Sequence, residues 1–134
     1  PKELWQDERK KAYSAIDYDC KLQIYGSDIN AHAVEIAKVN AENAGVDDCI
    51  TFRQIPFNKL KLIGDYGVCV SNPPYAERMG NLFKTNKTWS TYFITSHEGF
   101  EKLYGRKADK KRKLFNGNFK TDSYQYFGER PPKK

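Results

Sequence analysis

The spacing of apolar and polar positions changes several times along this chain, and each change marks an element. Over residues 2–17, Leu4, Trp5, Ala12, Ala15 and Ile16 fall within one helical arc of about 120°, with Lys, Arg, Asp and Glu elsewhere, which predicts an amphipathic helix. Residues 21–27 then read as a strand ended by Asp28. Asn30 can cap a second helix over 31–44, in which Ala33, Val34, Ile36, Ala37, Ala41 and Ala44 share a face, and Gly45 supplies the stop. Residues 50–54 form a short strand; residues 66–71 form another, apolar enough to be central.

Further on, the pattern predicts a strand around 92–95 and a short helix around 97–104. Residues 113–115 and 123–127 follow as an antiparallel hairpin turning near Gly117-Asn118, and 131–134 as a frayed tail. Helix, strand, helix, strand, strand is the order of an α/β sheet with parallel strands. One connection is short. Only 76–91 separate Tyr75 from the strand at Tyr92, and a parallel crossover usually needs a dozen or more residues, generally with a helix. Met79-Gly80-Asn81-Leu82 predicts no helix, so residues are expected to be missing near Met79-Gly80.

Length and composition narrow the class without fixing a function. The 134 residues suffice for one domain with its own core, and 39% hydrophobic with 30% charged is globular. No apolar run approaches the ~20 residues of a membrane span, so no membrane association is expected. Cys20, Cys49 and Cys69 are odd in number, lack CxxC spacing and sit in or beside apolar segments. They read as buried thiols of a cytoplasmic protein, with no metal site. His32 and His97 are isolated and are expected on a helix surface and at a helix start.

Charge changes the picture more. Residues 1–82 carry 10 Lys and Arg against 12 Asp and Glu, whereas 83–134 carry 13 against 5. A basic half interleaved with Trp89, Tyr92, Phe100, Tyr104, Phe115, Tyr124 and Tyr126 suits either a solvated surface or a nucleic-acid backbone with bases to stack. The densest run, 107–113, contains Lys110, Lys111 and Arg112. A solvated loop and a backbone contact fit it equally.

The strand at 66–71 runs straight into Asn72-Pro73-Pro74-Tyr75. Two prolines remove two backbone donors and fix φ twice, which ends sheet pairing. In open α/β sheets ligands bind beyond the carboxyl ends of strands, where this motif lies. The exocyclic amine of a nucleic-acid base is conjugated with its ring and therefore a poor nucleophile. The Asn72 side-chain oxygen and the Pro73 carbonyl could accept its two N–H groups and aim its lone pair at a methyl sulfonium. Tyr75 offers a face for an extruded base, and the prolines stiffen the ledge.

The chain resembles the amino-methyltransferases with an Asn-Pro-Pro-Tyr motif. More narrowly, it is similar to bacterial large-subunit ribosomal RNA guanine-N2 methyltransferases that carry a THUMP domain, often named adenine-specific DNA methylases. The likeness runs through Leu4-Trp5-Gln6, Gly26-Ser27-Asp28-Ile29, Asn40-Ala41 with Ala44-Gly45-Val46, Ser71 to Tyr75 with Glu77-Arg78, and Thr88-Trp89-Ser90. It continues through residues 107–117 and Tyr124-Gln125-Tyr126. It implies an α/β, Rossmann-like class I sheet that uses S-adenosyl-L-methionine and ends in an antiparallel hairpin.

The resemblance also implies roles. Asn72, Pro73 and Tyr75 would be catalytic; Asp28 on the ribose hydroxyls, Ile29 against the adenine ring and Asn72 would hold the cofactor. Pro74, Tyr75, Lys110, Lys111 and Arg112 would contact ribosomal RNA, and Arg78 fits a phosphate contact or a pair with a carboxylate equally. The family's first strand and Gly-rich loop are absent, since no glycine precedes Gly26. The THUMP domain is absent too, so residues 1–134 read as a partial catalytic domain that binds cofactor weakly on its own. No acid occurs between Asp48 and Asp65 to accept the adenine amine, and Gln54 or Asn58 is the substitute. Two other readings remain: a DNA adenine methyltransferase, and a non-enzymatic RNA-binding fragment.

Overall fold

Residues 2–72 and 76–133 are described by the computed structural model, apart from the side chains of Asn116 and Phe119. The chain divides into two units, residues 1–56 and 57–134.

The first unit holds α1 (Lys2–Ser14), β1 (Ile24–Asp28), α2 (Ala31–Ala44) and β2 (Ile50–Gln54). β1 and β2 are parallel, with Ile24 opposite Ile50 and Asp28 opposite Gln54. Helix α2 has its predicted bounds because both ends are locally encoded. Asn30 Oδ1 accepts the His32 N–H at 2.9 Å, and Gly45, at φ 66, returns its own N–H to the Glu42 carbonyl. Val34 and Ala41 are its buried residues. Gly26 lets the Phe52 ring lie against β1, where a Cβ would stand 2.7 Å from it.

Three expectations for this unit are corrected. α1 ends at Ser14 rather than 17, and β1 begins at Ile24 rather than 21. The apolar arc of α1 is uncovered, with Leu4 60% and Trp5 71% exposed. Cys20 is exposed rather than buried, because it lies in the irregular stretch between α1 and β1.

The second unit holds β3 (Gly67–Ser71), α3 (Ala76–Lys84), β4 (Trp89–Thr95), α4 (Phe100–Tyr104), β5 (Lys110–Asn116) and β6 (Phe119–Tyr126). Its four strands run in the order β3-β4-β6-β5, with β3 parallel to β4 and the other pairs antiparallel. One face of this sheet meets α3 and α4 through a cluster of Ala76, Met79, Phe83, Phe93, Phe100, Tyr104, Tyr124 and Tyr126. Phe93 is its centre, with ring centroids 5.5 Å from both Phe100 and Tyr104 and 6.1 Å from Tyr126. The hairpin turns at Gly117-Asn118, with Gly117 at φ 59 in the position where a two-residue type II′ turn takes glycine.

Within the four-stranded sheet β3 pairs with β4, the face of Cys69 packs on the core cluster, and Val70 is 73% exposed. One further expectation is corrected here. Residues 79–82 do form helix, inside α3. Ala76, Met79, Gly80 and Phe83 recur at helical spacing and are all buried. His97 precedes α4 by three residues, and its N–H donates to Thr95 Oγ1.

Candidate active site

The parallel register of β3 and β4 ends with Ser71 opposite Phe93, so Asn72 leaves the sheet at a carboxyl end. Asn72 is exposed, and α3 begins four residues later at the buried Ala76. Arg78 is on α3 and exposed. Pro73, Pro74 and Tyr75, the rest of the predicted motif, lie outside the described residues.

Asp28 and Ile29, predicted together with Asn72 to hold the cofactor, are in the first unit, also at a carboxyl strand end. Asp28 Oδ1 accepts the Asn30 N–H at 2.7 Å, and the Asp28 carbonyl accepts the Ile55 N–H at 3.0 Å. Asn30, not Asp28, caps α2. The second carboxylate oxygen of Asp28 has no hydrogen-bond partner among the described residues, and the side chain is exposed. A fixed carboxylate with one oxygen uncommitted fits a pair of vicinal hydroxyl donors. Ile29 next to it is 68% exposed, an apolar side chain open to a flat ring. Gln54, opposite Asp28 in the register, donates from Nε2 to the Ile29 carbonyl at 3.2 Å. That bond turns the amide so that its oxygen remains an acceptor. Asn58 lies in the second unit, in a short turn of helix at Phe57–Lys59.

The basic run 107–113 is not uniform. Lys111 Nζ is 3.1 Å from Asp122 Oδ2 and 4.6 Å from the centre of the Tyr124 ring. The Tyr124 hydroxyl and then the Asp122 carboxylate hold the Lys111 ammonium above the ordinary lysine range. Tyr124 also donates to Asp122 Oδ2 at 3.3 Å, and Asp122 Oδ1 is buried without a partner among the described residues. Asp109 accepts the Phe127 N–H at 2.7 Å and pairs with Arg106 at 2.6 Å, and these contacts hold its carboxyl below the usual range. Lys110 and Arg112 are exposed, opposite Gln125 and Ser123. Sequence reasoning missed Asp122 as the partner of Lys111. The signal lies in the pairing register, which no local pattern states.

A cleft of about 450 Å³ opens at the opposite end of β4, lined among others by Phe83, Lys84, Trp89, Arg106 and Tyr126. Among the described residues, none of those predicted for the site lines it. Among the described residues no group of three or more His, Cys, Asp or Glu could hold a metal ion, and no helix is long and apolar enough to cross a membrane.

Comparison with known proteins places this geometry. The profile of the RMKL-like methyltransferase domain matches residues 2–84. YpsC of Bacillus subtilis, provisionally named an RNA methyltransferase, is 46% identical over 99% of this chain and 38% of its own length. The ribosomal RNA large subunit methyltransferase K/L of Shewanella frigidimarina is 35% identical over 87% of this chain and 19% of its own. The crystal structure of SMU.472, provisionally named a methyltransferase and solved with S-adenosylhomocysteine, superposes with a TM-score of 0.84 at 38% identity. That match covers 98% of this chain and 38% of SMU.472. The chain thus spans well under half the length of these relatives. Its mixed second sheet, parallel at β3 and β4 and antiparallel at its C-terminal strands, is that of an α/β methyltransferase, and the chain belongs to the RMKL-like methyltransferase-domain family.

Proposed function

We propose that this chain is the catalytic part of an S-adenosylmethionine-dependent methyltransferase acting on guanine N2 of large-subunit ribosomal RNA. The observation that carries the reading is the position of Asn72, the first residue beyond the carboxyl end of β3, with two prolines following it in sequence. Relatives named as RNA methyltransferases support the substrate class, and a relative solved with S-adenosylhomocysteine supports the cofactor.

The cofactor supplies a methyl group on a positively charged sulfur. The residues of this chain do the positioning. Asp28 holds the ribose with its uncommitted oxygen, and Ile29 lines the adenine ring. The Asn72 oxygen and the Pro73 carbonyl accept the two N–H groups of the target amine, drawing the nitrogen out of conjugation so that its lone pair points along the transfer axis. Tyr75 stacks on the extruded base, and Pro74 keeps the ledge stiff. Arg78 and the basic hairpin contact the RNA backbone. No nucleophilic side chain takes part.

Methyl transfer by the full-length protein from labelled cofactor to ribosomal RNA and to DNA, followed by nucleoside analysis, tests this. The reading expects N2-methylguanosine in the RNA. Label in DNA adenine alone assigns the second substrate class that this motif serves, and no label in either overturns the enzymatic reading.

A further inference from the structure

Strand alternation sorts the basic run on β5. Successive side chains of a strand point to opposite faces. Lys111 is paired with Tyr124, and its ammonium is held by Asp122 on the face that packs the aromatic core. Lys110 and Arg112 therefore point the other way, with Leu114, and both are exposed. Their cross-strand neighbours on that outer face are Gln125, Ser123 and Thr121 of β6, all half-buried. Next in the row lies Tyr92 of β4, opposite Gln125 and in edge contact with the exposed Phe127.

Two features set this face apart from an ordinary solvated surface. No carboxylate occurs among the outward residues of β4, β5 and β6, because Asp122 faces inward and Asp109 is committed to Arg106 and the Phe127 N–H. In addition, Lys110 and Arg112 form no ion pair among the described residues, and the side chains of Thr121, Ser123 and Gln125 make no hydrogen bond there. Two uncompensated cations about 6.8 Å apart along one strand stand beside a column of neutral donors with an aromatic edge beyond. That is the residue set that grips a sugar-phosphate backbone.

We propose that the outer face of the β5–β6 hairpin is a track for one nucleic-acid strand, in which Lys110 and Arg112 each neutralise a phosphate. Thr121, Ser123 and Gln125 add hydrogen bonds, and Lys111 serves the hairpin rather than the ligand. The proposal rests on the nucleic-acid methyltransferase reading above and sharpens it, since it divides the basic run into a binding face and a structural one.

The test is binding of the full-length protein to a fluorescent single-stranded RNA oligonucleotide across a salt series. Each phosphate contact contributes about 0.7 to the slope of log affinity against log salt on single strands. The double variant K110Q/R112Q loses about 1.4 of that slope, with a melting temperature like the wild type because both positions are exposed. K110R/R112K restores the slope. K111Q keeps the slope and melts at lower temperature. An unchanged slope in K110Q/R112Q overturns the track, while methyl transfer to RNA by the wild type leaves the broader reading standing. Failure of the wild type to bind or methylate RNA overturns both. Displacement of the RNA by a polyglutamate peptide as effectively as by unlabelled RNA assigns the face to an acidic protein and also overturns it.

Discussion

Gly80 of α3 lies directly against the backbone of Tyr104 in α4: a Cβ at position 80 would stand 2.1 Å from the Tyr104 carbonyl oxygen. This approach allows the short crossover helix to press Met79 and Phe83 onto the core beneath β4. Gly80→Ala would gain about 1 kcal/mol of helix propensity. It would lose more, about 3 kcal/mol, because backbone rather than a flexible side chain must move. Denaturant unfolding is expected to show that net loss. A neutral or stabilising result would mean that α3 and α4 are not in this contact.

Beneath the same helices, the Thr91 and Tyr104 hydroxyls share a buried hydrogen bond of 3.2 Å. Thr91→Val leaves the Tyr104 hydroxyl buried without a partner, and Tyr104→Phe does the converse, each costing about 1–3 kcal/mol. The double variant is expected to cost less than the sum of the two. Additive losses in a double-mutant cycle would show the groups to be uncoupled.

Burial pushes the Cys69 thiol up to about 11, from an ordinary value of 9.0. The unfolded chain therefore loses this proton first. The stability that the buried thiol contributes is complete below about pH 9 and declines as pH rises toward 11. Thiol-reactive probes at neutral pH are expected to label the exposed Cys20 quickly and Cys69 only on unfolding. Equal labelling rates would contradict this burial.

For the cofactor, Asp28→Asn keeps an acceptor for the Asn30 N–H but removes the charge offered to the ribose. Charge-assisted hydrogen bonds contribute about 1.5–3 kcal/mol. Calorimetry on the full-length protein is therefore expected to show affinity for S-adenosylmethionine falling about 10- to 100-fold. Its melting temperature should stay near that of the wild type. Unchanged affinity would remove Asp28 from the cofactor site.

How much of this was legible in the sequence depended on where each signal is stored. α2 was readable to the residue because Asn30 and Gly45 act on their immediate neighbours. The position of Asn72 just beyond a strand was readable for the same reason. The crossover helix was not. Gly80 reads locally as a helix breaker, and the contact that requires it is 24 residues away at Tyr104. The division of the basic run was also hidden, because Lys110, Lys111 and Arg112 carry the same charge and only the pairing with β6 shows which one faces Asp122.

The central claim is that Asn72 serves the target amine and not merely the fold or the cofactor. Its most direct test is single-turnover methyl transfer to ribosomal RNA by full-length Asn72→Ala, with S-adenosylmethionine affinity measured on the same sample. Removing one of two acceptors that act in the transition state is expected to lower the rate by about 100- to 1000-fold, with affinity for the cofactor within a few-fold of the wild type. Transfer at the wild-type rate, or loss of cofactor binding in step with loss of transfer, would contradict the account.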